Sequence, residues 1–207
     1  MEPIRLEDLL GRERYGAQRE AIRRRIIAHK QRRRVAVGDR LTFVFEDRAT
    51  VWYQTQEMLW VEHIDDLDGI RGELAVYNES LPGPDELSTT LFIEIEDQTR
   101  IAEELRRLIG IDECVTLEVG EGLAVRGRFA LGRQTEEKLS AVQYVRFPLD
   151  AEVRAAIVAG APLTLRVDHP AYQARALLPE AVRASLVADL ADPEAPQAAL
   201  RRVRDGE

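Results

Sequence analysis

Apolar and polar side chains alternate at several points along the chain and predict strands there. In the segment RLTFVFED, Leu41, Phe43 and Phe45 alternate with polar or smaller residues, which is typical of a half-buried strand. Six further segments are interpreted as strands: 87–96, 114–120, 123–131, 140–149, 162–170 and 174–178. Because Glu121 and Gly122 lie between the second and third of these segments, we expect those two strands to form a hairpin.

Helices are predicted where apolar residues recur every three or four positions. The helix with the clearest boundaries has a cap at Asp97, a stripe of Ile101, Leu105 and Leu108, and a closing glycine at Gly110. A long helical segment is also expected over residues 5–34, in two pieces that separate near Gly11 or Gly16. Further helices are predicted at residues 48–64, 65–78, 150–159 and 179–190.

The order of these elements favours an α+β fold. Strands joined by short turns dominate the second half of the chain, so we expect one antiparallel or mixed β-sheet of five to seven strands with helices on one side. A length of 207 residues suits one domain. We divide the chain into a basic N-terminal helical arm at 1–37 that packs on the body, an α+β body at 38–190, and a flexible tail at 191–207.

Charge is distributed unevenly along the chain, whose net charge is −8. Ten arginines or lysines between Arg12 and Arg34 stand against two glutamates, so this segment carries +8 and the other residues sum to −16. The single cysteine, Cys114, excludes an internal disulfide and a Cys-x-x-Cys motif and fits a reducing compartment. The N-terminus has no signal-peptide pattern, and the chain has no apolar run of about 18 residues. We therefore expect a cytoplasmic protein.

Residues 48–64 combine the densest apolar cluster of the chain with polar side chains that resist burial. On a helix, the apolar residues of this segment surround the whole circumference, so we expect a helix that is enclosed by protein. A buried amide without a partner costs about 1–3 kcal/mol, and a buried carboxylate costs more. The polar side chains must therefore have partners, which are arginines of the basic arm, a bound ion, a ligand or another protein.

The first functional hypothesis follows from these polar side chains. We expect a groove that binds a protein partner or a small ligand, in which arginines of the basic arm neutralise the carboxylates. The predicted groove residues are Gln54, Gln56, Glu57, Glu62, Arg24, Arg33, Arg34, Tyr53 and Trp60.

Two alternatives belong to other classes of function. One is a metal-dependent or acid–base enzyme, because carboxylates and histidines are ligands for iron, manganese or zinc. Its predicted residues are Glu46, Asp47, Glu57 and His169. Glu57 and Glu62 are five positions apart on a helix and project about 140° from each other, which argues against their binding one shared ion. The other alternative is nucleic-acid binding through the basic arm, which the acidic net charge disfavours.

Four segments of the chain resemble a known bacterial family. The segments IAHKQRRRVAVGD, TFVFEDRATVWYQTQEMLWVE, LAVYN and LRVDHPAY are similar, in this order, to domain-of-unknown-function family 3501, and the resemblance spans about residues 4–190. Genes of that family are often found beside those for a rubrerythrin-like di-iron protein and an iron–sulfur oxidoreductase. The resemblance implies an accessory role in a redox or peroxide-related system, with one of those two proteins as a possible partner. It implies no catalytic residues.

Overall fold

The strands form two antiparallel sheets in the computed structural model, which describes residues 1–132, 135 and 138–206. The strands are β1 (Arg34–Val37), β2 (Leu41–Phe45), β3 (Glu86–Ile93), β4 (Val115–Val119), β5 (Leu123–Arg126), β6 (Arg128–Phe129), β7 (Val142–Pro148), β8 (Leu163–His169) and β9 (Tyr172–Leu177). The first sheet has the order β1-β2-β3-β7-β6, and the second has the order β5-β4-β8-β9. Every pairing is antiparallel.

Helices cover the sheets and build a separate layer. They are α1 (Arg12–Gln31), α2 (Arg48–Val61), α3 (Leu67–Asn78), α4 (Ile101–Arg107), α5 (Ala151–Val158), α6 (Glu180–Ala191) and α7 (Ala195–Arg204). No helix in the described part of the chain combines the length and the apolar character needed to cross a membrane.

The main hydrophobic core lies between the two sheets. Phe43 of β2 and Leu91 of β3 are buried in it, together with Leu117 and Leu165 of the second sheet. Helix α6 closes the core through Leu186. Because successive side chains of a strand point to opposite faces, the other residues of β2 and β3 point towards the helical layer.

The chain changes sheets at Gly127. Strand β5 ends at Arg126 and β6 begins at Arg128, so one continuous stretch belongs to both sheets. A Cβ atom at Gly127 would lie 2.7 Å from Val145 Cγ1, and glycine avoids this clash.

A second hydrophobic core holds the helical layer together. It contains Tyr15, Ile22, Trp52, Leu74 and Leu200, which come from α1, α2, α3 and α7. The N-terminal segment (residues 1–11) packs against the same core. Helix α2 contacts α1, α3 and α7, and this enclosure explains why its apolar residues surround the whole helix.

The sequence predicted the α+β class, and the structure confirms it. The strands divide between sheets of five and four rather than forming one sheet, because the bend at Gly127 carries the chain from one sheet to the other. The basic segment forms α1, a continuous helix that starts after Gly11 and runs through Gly16. Residues 1–37 also contain β1, so the first sheet begins inside the segment that was predicted as an arm.

The C-terminal residues also differ from the sequence prediction. The expected flexible tail at 191–207 contains α7, in which Ala199, Leu200 and Val203 are buried. These residues recur at helical spacing and pack against α2, so the apolar face of α7 holds the end of the described chain in place.

Candidate ligand-binding site

Arg33 is the centre of a buried cluster of charged residues, and it is only 1% exposed. Its Nη2 donates a hydrogen bond to Asp189 Oδ2 at 2.7 Å, and its Nη1 lies 3.2 Å from Asp47 Oδ2. Its Nε donates to the carbonyl oxygen of Phe45 at 2.7 Å. The guanidinium therefore joins three parts of the fold, which are the end of α1, the turn between β2 and α2, and helix α6.

Asp47 both caps α2 and pairs with two basic side chains. Its Oδ1 accepts a hydrogen bond from the backbone N–H of Thr50 at 2.9 Å, which fixes the start of the helix. Its Oδ2 lies 2.7 Å from His29 Nε2 as well as close to Arg33. Burial by itself raises the pKa of Asp47, but Arg33, His29 and the Thr50 amide outweigh burial and hold this pKa well below its usual range. Asp47 is therefore ionised at neutral pH.

Glu46 lies beside Asp47 and is held by neutral donors. The hydroxyl group of Thr90, on β3, donates to Glu46 Oε1, and the hydroxyl group of Thr50 donates to Oε2. Gln54 Nε2 donates to Oε2 at 3.1 Å. Glu46 therefore links the first sheet to α2 without a direct salt bridge to its carboxylate among the described residues.

Negative charge exceeds permanent positive charge in this cluster. The guanidinium of Arg33 contacts the carboxylates of Asp47 and Asp189, and the carboxylate of Glu46 lies in the same cluster. The imidazole of His29 contacts Asp47. Burial raises the pKa of Asp189, and the nearby charge of Asp47 adds to this effect against the opposing charge of Arg33. The pKa of Asp189 is thus raised and that of Asp47 is lowered, although both carboxylates contact the same arginine.

A cleft of about 570 Å³ opens beside the charged cluster. It lies between the end of β2, the start of β3, the turn at residues 82–84, helix α6 and the connection from α6 to α7. Phe45, Leu87 and Leu190 form apolar parts of its wall. The charged residues on the wall are Glu2, Glu46, Arg48, Glu86, Arg154, Asp189 and Glu194.

Two arginines of the cleft have hydrogen-bond donors that are not used. The side chain of Arg48 is 6% exposed, and its Nη2 donates to Asp8 Oδ2 at 2.9 Å. The Nε atoms of Arg48 and Arg154 are buried and have no hydrogen-bond partner in the described part of the chain. A carboxylate oxygen of Asp85 lies 3.9 Å from Arg154 Nε, which is too far for a hydrogen bond.

The N-terminal segment satisfies polar groups of α2. Gln56 Oε1 accepts from the backbone N–H of Leu10 at 2.9 Å, and Gln56 Nε2 donates to the carbonyl oxygen of Leu10 at 3.0 Å. Trp52 Nε1 donates to the carbonyl oxygen of Asp8 at 2.9 Å. These side chains therefore bind a segment of their own chain.

Glu57, a second predicted groove residue, faces α1. Its carboxylate pairs with Arg19 at 2.7 Å and also accepts a hydrogen bond from the Tyr15 hydroxyl group. The hydrogen bond from Arg19 lowers the pKa of Glu57 against the opposing effect of burial, and Tyr15 lowers it further. The arginine that neutralises Glu57 is therefore Arg19, which was not among the predicted arginines.

The remaining predicted groove residues are spread over the surfaces of the helical layer and of the first sheet. Glu62 and Arg24 are exposed, and Arg34 pairs with Glu94 at 2.7 Å on the surface of the first sheet. Arg33 alone among the predicted arginines is buried. These residues do not share one groove with Glu57.

The two aromatic residues predicted for the groove each lie under a cation. The Lys30 Nζ atom lies 5.7 Å from the centroid of the Tyr53 ring. The guanidinium carbon of Arg12 lies 4.7 Å from the centroid of the Trp60 ring. Both rings are half-buried, and they cover the helical layer rather than the 570 Å³ cleft.

The structure does not bring the four residues of the predicted metal site together. His169, at the end of β8, has its Nε2 3.0 Å from the carbonyl oxygen of Ile109. Glu57 faces α1, whereas Glu46 and Asp47 belong to the buried cluster on the other side of α2. In the part of the chain that the structure describes, no three His, Cys, Asp or Glu residues form a group that could hold a metal ion. Glu46 and Asp47 therefore lie together at the start of α2, whereas Glu57 and His169 lie apart from them and from each other.

The lowered pKa of Asp47 predicts a specific loss of stability in acid. A carboxyl group with a depressed pKa in the folded state contributes stability above its unfolded pKa of about 3.9, and this contribution is lost as the pH falls through the folded pKa. Asp47→Asn keeps the cap but removes the charge that faces Arg33 and His29, with Glu46 and Asp189 nearby. We expect the variant to unfold about 3 kcal/mol more easily at pH 7.

That difference should shrink as the pH is lowered below about 4, because Asp47 then takes up a proton in the unfolded wild-type chain while the folded protein keeps it ionised until a lower pH. Urea unfolding of both proteins across this range measures it. A difference that stays constant with pH would show that the charge of Asp47 does not stabilise the fold.

Asp189 and Arg154 are cleft residues that the sequence analysis missed. A signal for Asp189 was present, because Val182, Leu186 and Leu190 form the buried stripe of α6 and Asp189 lies on the same face. A carboxylate within an apolar stripe indicates a buried partner. No comparable signal marks Arg154, which is half exposed on α5.

Comparison with known proteins places the cluster and most of the cleft inside one family. The model of the family described as protein of unknown function (DUF3501) matches residues 3–190, a range that includes Glu46, Arg48, Arg154 and Asp189. A crystal structure of a protein of unknown function from Burkholderia pseudomallei is similar to this chain, with a TM-score of 0.87 and 41% sequence identity. The similarity covers 91% of this chain and 100% of that chain. No curated protein matches the sequence. With its family model matched from residue 3 to residue 190, this chain belongs to the DUF3501 family.

Proposed function

We propose that this protein binds a small polar organic molecule in the cleft between the first sheet, α6 and the N-terminal segment. The observation that carries the proposal is a cleft of about 570 Å³ whose wall combines apolar side chains with the charged side chains of Glu46, Arg48, Arg154 and Asp189. Polar groups that converge on an apolar cleft of this size are typical of a small-molecule site.

The form of the cleft supports the same function. Small-molecule sites have volumes of about 300–1,000 Å³ and combine apolar walls with a few fixed polar groups. Here the apolar side chains come from Phe45, Leu87, Leu186 and Leu190. Asp189 adds a carboxyl group whose pKa is raised by burial, and perturbed groups of this kind are frequent in functional sites.

Filling the cleft should abolish binding of small molecules that a fragment screen detects by thermal shift. Gln197 of α7 is half-buried on the cleft wall, so Gln197→Trp places a large ring in the site. We expect fragment affinities to fall by at least about tenfold, or 1.4 kcal/mol, in isothermal titration calorimetry. The matched control is Gln173→Trp on β9, which is exposed and outside the cleft.

The control should bind the fragments like the wild type. If Gln197→Trp also binds them like the wild type, the fragments occupy another site. The proposed function is then contradicted.

The role in a redox or peroxide-related system is a wider proposal for the same protein. The resemblance to its family supports this role, and a cytoplasmic location agrees with the single cysteine. The expected partner is an iron–sulfur oxidoreductase or a rubrerythrin-like protein. Titration of each purified protein against this one, with and without a cleft ligand, measures whether a complex forms and whether the ligand controls it.

A further inference from the structure

Helices α1 and α2 lie side by side and run in opposite directions. Arg12, at the start of α1, lies over the ring of Trp60 near the end of α2, and its Nη2 donates a hydrogen bond to the carbonyl oxygen of Trp60 at 3.2 Å. Lys30, near the end of α1, lies over the ring of Tyr53 in the first half of α2. The outer sides of the two helices therefore form one continuous surface. We call it the α1–α2 ridge, and it consists of the exposed and half-buried residues of 12–32 and 53–68.

One end of the ridge is basic and has an exposed apolar residue at its centre. Ile27 is 51% exposed. Arg23, Arg24 and Lys30 lie three or four positions from Ile27, so they are its neighbours on the surface of α1. The side chains of Arg23 and Arg24 are exposed and form no hydrogen bond or ion pair with another residue that the structure describes. Their positive charge is therefore available to a partner.

The opposite end of the ridge is acidic and also exposes apolar side chains. Val61 is 56% exposed at the end of α2, and Leu67 is 54% exposed at the start of α3. The turn between these helices lies beside the start of α1, because Arg12 Nη1 is 3.7 Å from Asp65 Oδ1. The exposed carboxylates of this end are those of Glu62, Asp65, Asp66 and Asp68. Negative charge and apolar surface therefore occur together here, as positive charge and apolar surface do at the other end.

We infer that the α1–α2 ridge binds the same ridge of a second copy of this chain. In an antiparallel arrangement about a two-fold axis, the basic end of each copy contacts the acidic end of the other. Ile27 of each copy then packs against Val61 and Leu67 of the other. The ridge contains none of the residues that line the 570 Å³ cleft, so this inference does not depend on the proposed function.

The distribution of charge favours a second copy over other partners. A nucleic acid or an anionic membrane complements only the basic end of the ridge and is repelled by the acidic end, whereas an antiparallel copy complements both. Two-fold dimers that use the same surface on both subunits are the commonest oligomers of soluble proteins. A ridge about 30 Å long and two helices wide, about 20 Å, is comparable in size with the roughly 800 Å² per partner that a stable interface buries.

Sedimentation-velocity ultracentrifugation over a range of protein concentrations tests the inference. We expect the wild type to form dimers whose dissociation constant rises with salt, because salt screens the charges at both ends. Ile27→Asp should raise the dissociation constant at least about tenfold, since it places a carboxylate against the acidic end. The matched control is Val76→Asp, which should leave the dissociation constant unchanged, because Val76 is 62% exposed on α3 outside the ridge.

Reversing the charge of each end tests the antiparallel arrangement. One variant combines Arg23→Glu with Arg24→Glu, and the other combines Glu62→Lys with Asp65→Lys. Each variant alone should dimerise at least about tenfold more weakly than the wild type, because like charges then meet at both ends of the dimer. An equal mixture should form a mixed dimer with nearly the affinity of the wild type, since opposite charges meet again at both ends.

Four outcomes would contradict the inference. The wild type could remain a monomer at every concentration, or Ile27→Asp could dimerise as tightly as Val76→Asp. The mixture of the two charge-reversed variants could fail to form a mixed dimer. A monomer that binds a DNA oligonucleotide, and loses it when Arg23 and Arg24 are replaced with glutamate, would instead assign the basic end to nucleic acid. None of these results affects the proposed function, which the fragments and Gln197→Trp test separately.

Discussion

Replacing Arg33 with methionine should lower the free energy of unfolding by about 3–5 kcal/mol. The guanidinium is fully enclosed and is the permanent cation that contacts both Asp47 and Asp189. Methionine fills part of the same volume, but it removes the basic partner of the Asp189 carboxylate and leaves Asp47 with His29 alone. It also removes the hydrogen bonds to the carbonyl oxygens of Phe45 and Glu46. Urea unfolding followed by circular dichroism measures the loss.

The adjacent residue offers a matched control for Arg33. Arg34→Met removes an arginine whose ion pair with Glu94 is about half exposed on both sides, and surface pairs of this kind contribute about 0–1 kcal/mol. The combined replacement of Arg33 with methionine and of Asp47 and Asp189 with asparagine should recover part of the loss, because no unpaired charge of the three remains buried. Equal losses for Arg33→Met and Arg34→Met would contradict the stabilising role of the buried cluster.

Gln56→Ala should produce the second-largest effect, a loss of about 2–4 kcal/mol in the free energy of unfolding. The side-chain amide of Gln56 binds both the N–H and the carbonyl oxygen of Leu10, and all of these groups are buried. Alanine leaves two backbone groups of Leu10 without partners. The N-terminal segment should then detach more easily, and the Leu10 amide should exchange its hydrogen faster in hydrogen–deuterium exchange.

Gln31 provides the comparison for Gln56. It is exposed at the end of α1, so Gln31→Ala should change the free energy of unfolding by no more than about 0.5 kcal/mol. If Gln56→Ala costs no more than this control, the two hydrogen bonds to Leu10 do not hold the N-terminal segment.

Local patterns in the sequence were sufficient to predict most of the elements around the site. The cap at Asp47 and the all-round apolar pattern of residues 48–64 predicted α2, and the structure confirms a helix from Arg48 to Val61. Alternation predicted β2, with Phe43 and Phe45 in the core. These signals depend only on residues that are close in the sequence, so they can be recognised without knowledge of the fold.

Local patterns in the sequence did not predict which residues are the partners of the polar side chains. The hydrogen bond from Arg33 to Asp189 joins residues 156 positions apart, and the one from Leu10 to Gln56 joins residues 46 positions apart. The sequence showed that the amides and carboxylates of α2 require partners, because unpaired buried groups are costly. The packing of α1, α6 and the N-terminal segment on α2 determines which residues become these partners. Spacing along the chain does not encode this packing.

The division of the strands into two sheets had a similar cause. Gly127 lies between two segments that alternate in the same way, and the pattern continues through it. Only the close approach to Val145 in the folded protein shows that the chain bends there. The cleft depends on this division, since its walls come from the first sheet and from α6, which packs on the core between the sheets.

The central claim is that the cleft beside the buried charged cluster is the ligand site, and nuclear magnetic resonance of the labelled protein tests it most directly. Backbone amide shifts would be followed while the fragments from the thermal-shift screen are added. We predict that the largest changes occur at Ser88, Leu186 and Asp189 and are lost in Gln197→Trp. Changes that concentrate elsewhere, or no change with any compound, would contradict the claim.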